Sequence, residues 1–383
     1  RVWREFQVAG QGTLNVFHDF NFVFSDNLTG NLYRNPDEIP ANGKDDDRNG
    51  YIDDYHGFNF DANTAVLTYN EAPSESFSPQ SMHGFMCAAI VCGRGVPGKE
   101  YEFGIAPEAR WTGVVGSSRL EQTVQWAAEQ GADTYSMSFS IPGLREYRSH
   151  WRKIMEQGSL CGIFFVSGAG NFAQSAQLPV QMRVPEDIPD VVFAAAGVQR
   201  NFSRTPFSSQ GPVKWETAHY QDGMVRKPEV CAFNMGLPAL LRNGEVRPVG
   251  LNGNSFAGPM FCGAISLMLS ADPDLLPLDL KVLIPPTAPL AISAQRLIGM
   301  AYSLKMDGDD RLCVSFIGEG GASLGEWHEA INFAAAQKLN MIFVLENNQW
   351  ALGTHVSEQS ATKRFALRGP GYGIPGITVY GND

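Results

Sequence analysis

The stretch Asn252-Gly253-Asn254-Ser255-Phe256-Ala257-Gly258-Pro259 sets one hydroxyl among small residues at the start of an apolar, helix-like run. A serine there gains backbone N–H groups and the positive end of a helix dipole, both of which favour a developing oxyanion. Small neighbours let a substrate backbone approach. Serine is inert at its own pKa, so it needs a base, and the base needs a carboxylate to hold its tautomer. Two upstream stretches supply them. His83-Gly84-Phe85-Met86-Cys87-Ala88-Ala89-Ile90 opens an apolar helix on a histidine, and Gly10-Gln11-Gly12-Thr13-Leu14-Asn15-Val16-Phe17-His18-Asp19 is a strand that ends at an acid. Asp26 lies close by, but Asp19 has the strand-end position. Apolar strand-like runs at 13–17, 111–115, 134–139, 162–167 and 191–196 alternate with helix-like stretches at 120–130 and 146–157. That alternation predicts an α/β fold, a parallel sheet covered by helices.

Composition agrees with a folded chain. The 383 residues are 44% hydrophobic and 18% charged, and the net charge is −11. This balance excludes global disorder and argues against a nucleic-acid surface, which needs clustered Lys and Arg. No apolar run reaches membrane-span length. The chain begins at Arg1, and no basic-then-apolar leader is visible there. The six cysteines form no C-x-x-C pair and are expected to be small buried residues.

The collinear Asp19, His83 and Ser255 resemble the subtilisin-like serine peptidases, over roughly residues 5–284. Gly104-Ile105-Ala106-Pro107, the strand over 132–139, Ser167-Gly168-Ala169-Gly170-Asn171, Phe207-Ser208-Ser209-Gln210-Gly211-Pro212 and Lys227-Pro228-Glu229-Val230 follow in the family's order. The resemblance implies Ser255 as nucleophile, His83 as general base, Asp19 as its orienter and Asn171 as oxyanion donor. It also implies that a peptide or protein substrate pairs at Ser138 and Phe139. Phe20, Phe85, Asn254 and Ser140 depart from the family pattern. A catalytically dead, closed fold in which Phe20, Phe85 and Asn254 fill the site is therefore a separate reading.

The segment Asp45-Asp46-Asp47-Arg48-Asn49-Gly50-Tyr51-Ile52-Asp53-Asp54 places oxygens at alternate positions. Asp45, Asp47, Asn49 and Asp53 form a D-x-D-x-N-G-x-x-D pattern suited to Ca²⁺, a hard cation that takes oxygen ligands.

Beyond Pro285-Pro286, the best linker candidate, a second chemistry begins. The expected division is 1–284 and 285–383. A strand at 312–317, a helix at 326–337 and a strand at 341–345 form a βαβ unit. Gly318-Glu319-Gly320-Gly321 and Glu346-Asn347-Asn348-Gln349-Trp350 follow its strands, at the ends where α/β sheets bind ligands. A carboxylate and an amide oxygen can hold Mg²⁺, and the glycines let N–H groups approach a diphosphate. From about 287 to 383 the chain resembles the α subunit of thiamine-diphosphate-dependent 2-oxoacid dehydrogenases, the E1 component, branched-chain type. That resemblance implies a partial thiamine-diphosphate-binding unit, with Glu319, Asn348 and the Trp350 carbonyl on Mg²⁺ and Gly320 and Gly321 beside the cofactor. Leu290 would support the pyrimidine, and an E1 β subunit would be the partner. The segment carrying the family's catalytic histidine is not found, so the tail is expected to form half a site. Export outside the cell or to the periplasm suits the first family, and an intracellular address the second. A chimeric reading frame joined near 284–289 would account for both, and an E1 component using the peptidase region as a scaffold is the remaining alternative.

Overall fold

The computed structural model describes residues 3, 6–22, 26–67, 82–94, 104–116, 119–240, 246–277, 291–306, 308–309, 311–351 and 353–380. The chain forms two compact units, Arg1–Leu280 and Lys281–Asp383.

The first unit is built on seven strands: β1 (Leu14–His18), β2 (Gly57–Asn59), β3 (Arg110–Val115), β4 (Thr134–Met137), β5 (Phe164–Gly168), β6 (Val192–Val198) and, after an antiparallel pair β7 (Val213–Glu216) and β8 (Gln221–Val225), β9 (Val230–Phe233). Their order is β2-β3-β1-β4-β5-β6-β9, and every neighbouring pair is parallel. Helices α1 (His83–Cys92), α2 (Leu120–Glu129), α3 (Arg148–Leu160) and α4 (Ala257–Ala271) cover it. The two-residue period of the strands sorts side chains between two cores. Phe17, Phe164, Val166 and Phe193 join α1 and α4 on one face. Val16, Tyr135, Met137, Phe165 and Val192 join α2 and α3 on the other. Burial on both faces is why these strands read as continuous apolar runs.

The sequence places the elements well and their ends less well. β4 stops at Met137, two residues short of the expected 139, because its last partner on β5 is Ser167 and the chain then turns away to bridge Ile141 with Val184. All six cysteines are free; Cys87, Cys92, Cys262 and Cys313 are buried as expected, whereas Cys161 and Cys231 are exposed.

The second unit contains α5 (Ile292–Met306), β12 (Cys313–Gly318), α6 (Gly325–Gln337) and β13 (Met341–Glu346); the hairpin β10 (Leu237–Leu240) and β11 (Val246–Leu251) precedes them in the first unit. β12 and β13 pair in parallel from Cys313↔Met341 to Gly318↔Glu346. Ile317 packs with Ala294 and Ile298 of α5 and Trp327, Ala330 and Ile331 of α6. Burial along β12 alternates strictly, which leaves Val314 and Phe316 exposed. Pro285, Pro286 and Leu290 lie outside the described residues.

Candidate active site

In the strand order, β1 has β3 on one side and β4 on the other, so chain connections diverge there. Such a switch point opens a crevice beyond the strand C-termini. Register pairs His18 with Met137, so Asp19 and Ser138 emerge side by side at that crevice.

Asp19 is buried, at 6% exposure. Its carboxylate accepts from His83 Nδ1 at 2.8 and 2.9 Å and from the Phe20 backbone N–H at 2.8 Å. His83 opens α1, whose first turn is held by the Gly84 N–H donating to the Phe20 carbonyl at 2.9 Å. Burial opposes charge on His83, but the Asp19 charge and hydrogen bond together outweigh it and raise its pKa above the ordinary histidine value. The adjacent His18 is a contrast. It is fully enclosed, binds Tyr135 OH at 2.9 Å and the Gly116 carbonyl at 3.1 Å, and is pushed down to about 4 by burial. His18 is therefore a neutral core residue, and of these two histidines His83 is the one paired with a carboxylate.

Ser255 sits in a 3₁₀ turn, Asn254–Phe256, that feeds α4. That turn rests on the end of β5, where a Cβ on Gly168 would fall 2.1 Å from the Asn254 carbonyl, so only glycine fits. Ser138 ties the turn to β4, since its Oγ donates to the Ser255 carbonyl at 2.8 Å. The Ser255 hydroxyl donates to the Ser138 carbonyl at 3.3 Å in this structure, not to the imidazole. The Phe256 ring lies 6.0 Å from the His83 ring, centroid to centroid. Catalytic hydrogen bonds are often unmade without substrate. Asn171 presents its Oδ1 to the Asn254 backbone N–H at 2.9 Å, which fixes the amide beside the same turn.

The departing residues divide. Phe85 is fully buried among Phe17, Phe22 and Trp111, so it does not obstruct the site. Phe20 stacks on the His83 ring with centroids 5.3 Å apart and planes 9° from parallel, covering a ring face. Asn254 is a buried hub that donates to Ser208 Oγ at 3.0 Å and to the Gly170 carbonyl and accepts from Asn234. Ser140 donates to Glu186 Oε1 at 2.7 Å, and burial lifts that carboxyl to about 8. The Phe139 ring packs against His18 and Trp151 and so belongs to the core.

The acidic loop gathers a set different from the one its pattern suggests. Glu38, Asp45 and Asp47 bring one carboxylate oxygen each within 4.8 Å of the others. Glu38 is 4% exposed, and its Oε2 has no hydrogen-bond partner among the described residues. Asn49 caps the turn, accepting from the Tyr51 N–H, while Asp53 turns aside to accept the Asn42 and Gly43 N–H groups at 2.9 Å. Glu38, seven residues before the motif, carries no spacing signal and was not legible.

In the second unit, Glu319 and Asn347-Asn348 follow the paired strand ends. Glu319 is 1% exposed and its Oε1 is unpartnered among the described residues. Gly320 lets this loop meet the next one, since a Cβ there would lie 2.5 Å from the Ala351 Cβ; Gly321 is buried beside it. Asn348 Oδ1 accepts from the Trp350 N–H at 2.8 Å, and Trp350 is exposed. An orphaned buried carboxylate suits a cation, so these residues fit part of a Mg²⁺-diphosphate site.

A family model described as the subtilase family matches residues 27–313, about three quarters of the chain. The chain belongs to the subtilase family. It also carries a C-terminal E1-like region, because a second model, described as the dehydrogenase E1 component, matches residues 282–383. That region is 42% identical over 97 residues to the 2-oxoisovalerate dehydrogenase subunit alpha 1, mitochondrial, of Arabidopsis thaliana, covering 25% of this chain and 21% of the relative. It is 39% identical over 103 residues to the 3-methyl-2-oxobutanoate dehydrogenase subunit alpha of Mycobacterium tuberculosis, covering 27% and 28%. The chain thus spans about a fifth to a quarter of the length of these curated relatives. Among solved structures, MycP1 with its N-terminal propeptide removed matches in fold with TM-score 0.50 at 20% identity, covering 73% of this chain and 84% of that one. Among the described residues, no helix is long and apolar enough to cross a membrane.

Proposed function

We propose that residues 1–284 act as a serine endopeptidase. Ser255 attacks the peptide carbonyl, His83 takes its proton, Asp19 holds the imidazole and Asn171 supports the oxyanion. The carrying observation is the Asp19–His83 pair, at 2.8 Å and largely shielded from water, set at the sheet's switch point beside the Ser255 turn. Burial alone would depress a histidine pKa, so its raised value reflects a carboxylate placed to stabilise imidazolium. Substrate backbone would run along Ser138–Ser140, just past β4. The test is labelling with a fluorophosphonate probe, followed by peptide mapping. Label on Ser255, absent in Ser255→Ala, supports the reading; no label on a folded chain removes it and favours the closed fold.

The same reading includes a Ca²⁺ site at Glu38, Asp45 and Asp47, with export from the cell. Calcium would neutralise the Glu38 oxygen that has no partner among the described residues. A calcium-dependent rise in melting temperature, lost in Asp47→Asn, tests it.

Residues 285–383 we read as an E1-like fragment that holds half a cofactor site. Glu319, Asn348 and the Trp350 carbonyl would bear on Mg²⁺, and Gly320 and Gly321 on the diphosphate. Thiamine diphosphate, when bound, supplies the carbanion that attacks a 2-oxoacid; this region would contribute cation and diphosphate contacts and, at Leu290, support for the pyrimidine. An E1 β subunit would be needed to complete the site. Calorimetry that titrates thiamine diphosphate into the chain already saturated with Mg²⁺ is expected to show no heat of cofactor binding for the chain alone. Measurable binding would revive an oxidoreductase role. A join of two coding segments near 284–289 accounts for two families in one chain, and sequencing the transcript across that junction tests it.

A further inference from the structure

Phe20 carries an aromatic ring that belongs to neither core of the first unit, and it is 45% exposed. The loop that presents it is nonetheless held on both sides. Before it, the Asp19 N–H donates to the Val114 carbonyl at 3.1 Å. After it, Asn21 takes a left-handed φ of 57° and Phe22 is buried. Its own N–H donates to Asp19 Oδ1 at 2.8 Å, and its carbonyl accepts from the Gly84 N–H at 2.9 Å. A Cβ on Gly84 would fall 2.7 Å from that carbonyl, so the first turn of α1 sits directly on this loop. The backbone is thus fastened to Asp19 and to the residue after His83. The ring follows, lying over the His83 ring with centroids 5.3 Å apart and planes 9° from parallel. A singly exposed ring needs no explanation. One held face-on to a largely enclosed histidine does.

An aromatic face is the negative end of a quadrupole and attracts a cation within about 6 Å of its centroid. Neutral imidazole gains little from that face, and imidazolium gains more. In acyl transfer His83 becomes imidazolium when Nε2 takes the Ser255 proton while Nδ1 keeps the proton it shares with Asp19. The Asp19 bonds meet the imidazole at its Nδ1 edge, whereas the Phe20 ring lies out of its plane, so both can act on one charge. We propose that Phe20 is a positioning residue for the acyl-transfer step, its ring face stabilising the imidazolium that His83 becomes. Because the charge develops with the reaction, the stabilisation lowers the barrier more than it deepens the ground state. The other groups facing His83 among the described residues are the Cys87 thiol on α1, kept neutral chiefly by burial, and the Phe256 ring at 6.0 Å. The effect on rate rests on the proposed triad; the stack does not.

The test compares Phe20→Leu, which keeps an apolar cover without a π face, with Phe20→Tyr, which keeps the face. The His83 pKa is read by NMR from its Cε1–H resonance, on the full chain in a Ser255→Ala background, and the resonance is assigned by its loss in His83→Gln. This readout needs no turnover. The leucine variant should titrate about 0.4 to 0.7 lower than its parent, and the tyrosine variant should match the parent. With Ser255 present, fluorophosphonate labelling should slow about two- to fivefold in Phe20→Leu at a pH above both measured His83 values. Well below both, the two rates should converge, because the leucine variant then holds more neutral base and this offsets its less stable imidazolium. A ring that only shaped the site would slow labelling by one factor at every pH and leave the pKa alone. An unchanged pKa in Phe20→Leu, or a tyrosine variant that falls with the leucine one, overturns the proposal. A lowered pKa with a pH-independent rate ratio overturns the part played in acyl transfer. A lowered pKa on a chain that never labels supports the stack and removes the peptidase reading instead.

Discussion

Both parallel sheets of this chain carry their polar chemistry beyond the C-terminal ends of strands, yet only one is enclosed. The seven-stranded sheet has helices on each face and two separate cores. The two-stranded sheet has α5 and α6 packed with the buried residues of β12 and exposes Val314, Phe316 and Ile342. Parallel sheets are normally buried on both faces. The difference teaches that a motif and its working shell are separable. In the first unit the core fixes where Asp19, His83 and Ser255 emerge. In the second, Glu319 is already buried and aligned with its neighbours, while Asn348 and Trp350 remain in solvent.

The sharpest way to break the comparison is chemical. Ser255→Ala should abolish hydrolysis of a casein substrate, by on the order of a million-fold in kcat. Its thermal midpoint should hardly move, since one hydroxyl with a single 3.3 Å bond is lost. No substitution in the second unit should alter that rate. A Glu319 variant that cut proteolysis tenfold would contradict the separation.

Asp19→Asn should come next, at roughly ten-thousand-fold in kcat, by leaving the wrong tautomer on His83. It carries a pH signature as well. The folded pKa of His83 is raised, so its stabilising contribution is fully present below the unfolded value of about 6.5. That contribution is lost as pH rises through the folded pKa. Urea midpoints should therefore separate wild type from Asp19→Asn more at pH 5.5 than at pH 9. An equal gap at both would mean that the carboxylate does not favour imidazolium.

How much of this was legible divides along the same line. The triad candidates were visible because they stand at element ends, where an apolar period breaks: after β1, at the first residue of α1 and before α4. The E1-like motif was visible for the same reason, at two paired strand ends. What escaped depends on contacts between distant segments. Glu38 joins Asp45 and Asp47 through a folded loop, and Asn254 meets Asn234 and Ser208 across the sheet end. Cys87 looked like one small helix residue among several, and only the packing of α1 sets its sulfur 3.5 Å from Ser138 Oγ and from the Ser255 carbonyl. Phe85 was misjudged for the converse reason. Its closeness in sequence to His83 says nothing of which helix face it takes, and it takes the core face.

Two phenylalanines test the enclosure itself. Phe165 on β5 is fully buried, and Phe316 on β12 is 60% exposed. Phe165→Ala should cost about 3–5 kcal/mol in unfolding free energy. Phe316→Ala should stay within about 0.5 kcal/mol and should reduce self-association, because it removes an exposed apolar side chain. Comparable costs at the two sites would show that the β12 face is covered after all.

The smallest expected effect is the most informative about the second unit. Glu319 holds a carboxylate at 1% exposure with its Oε1 unpartnered among the described residues. No described group bonds that oxygen, so the residue is suited to a charge brought from outside. Glu319→Gln removes the charge and keeps the shape. Without cations, its melting temperature should equal or slightly exceed that of wild type, since truncating a satisfied network would lower it. With millimolar Mg²⁺, wild type should gain a degree or more and the variant nothing. A variant that melts lower in both conditions would mean that Glu319 is held by the fold rather than awaiting an ion, and the fragment would then keep the family's sequence without its cation chemistry.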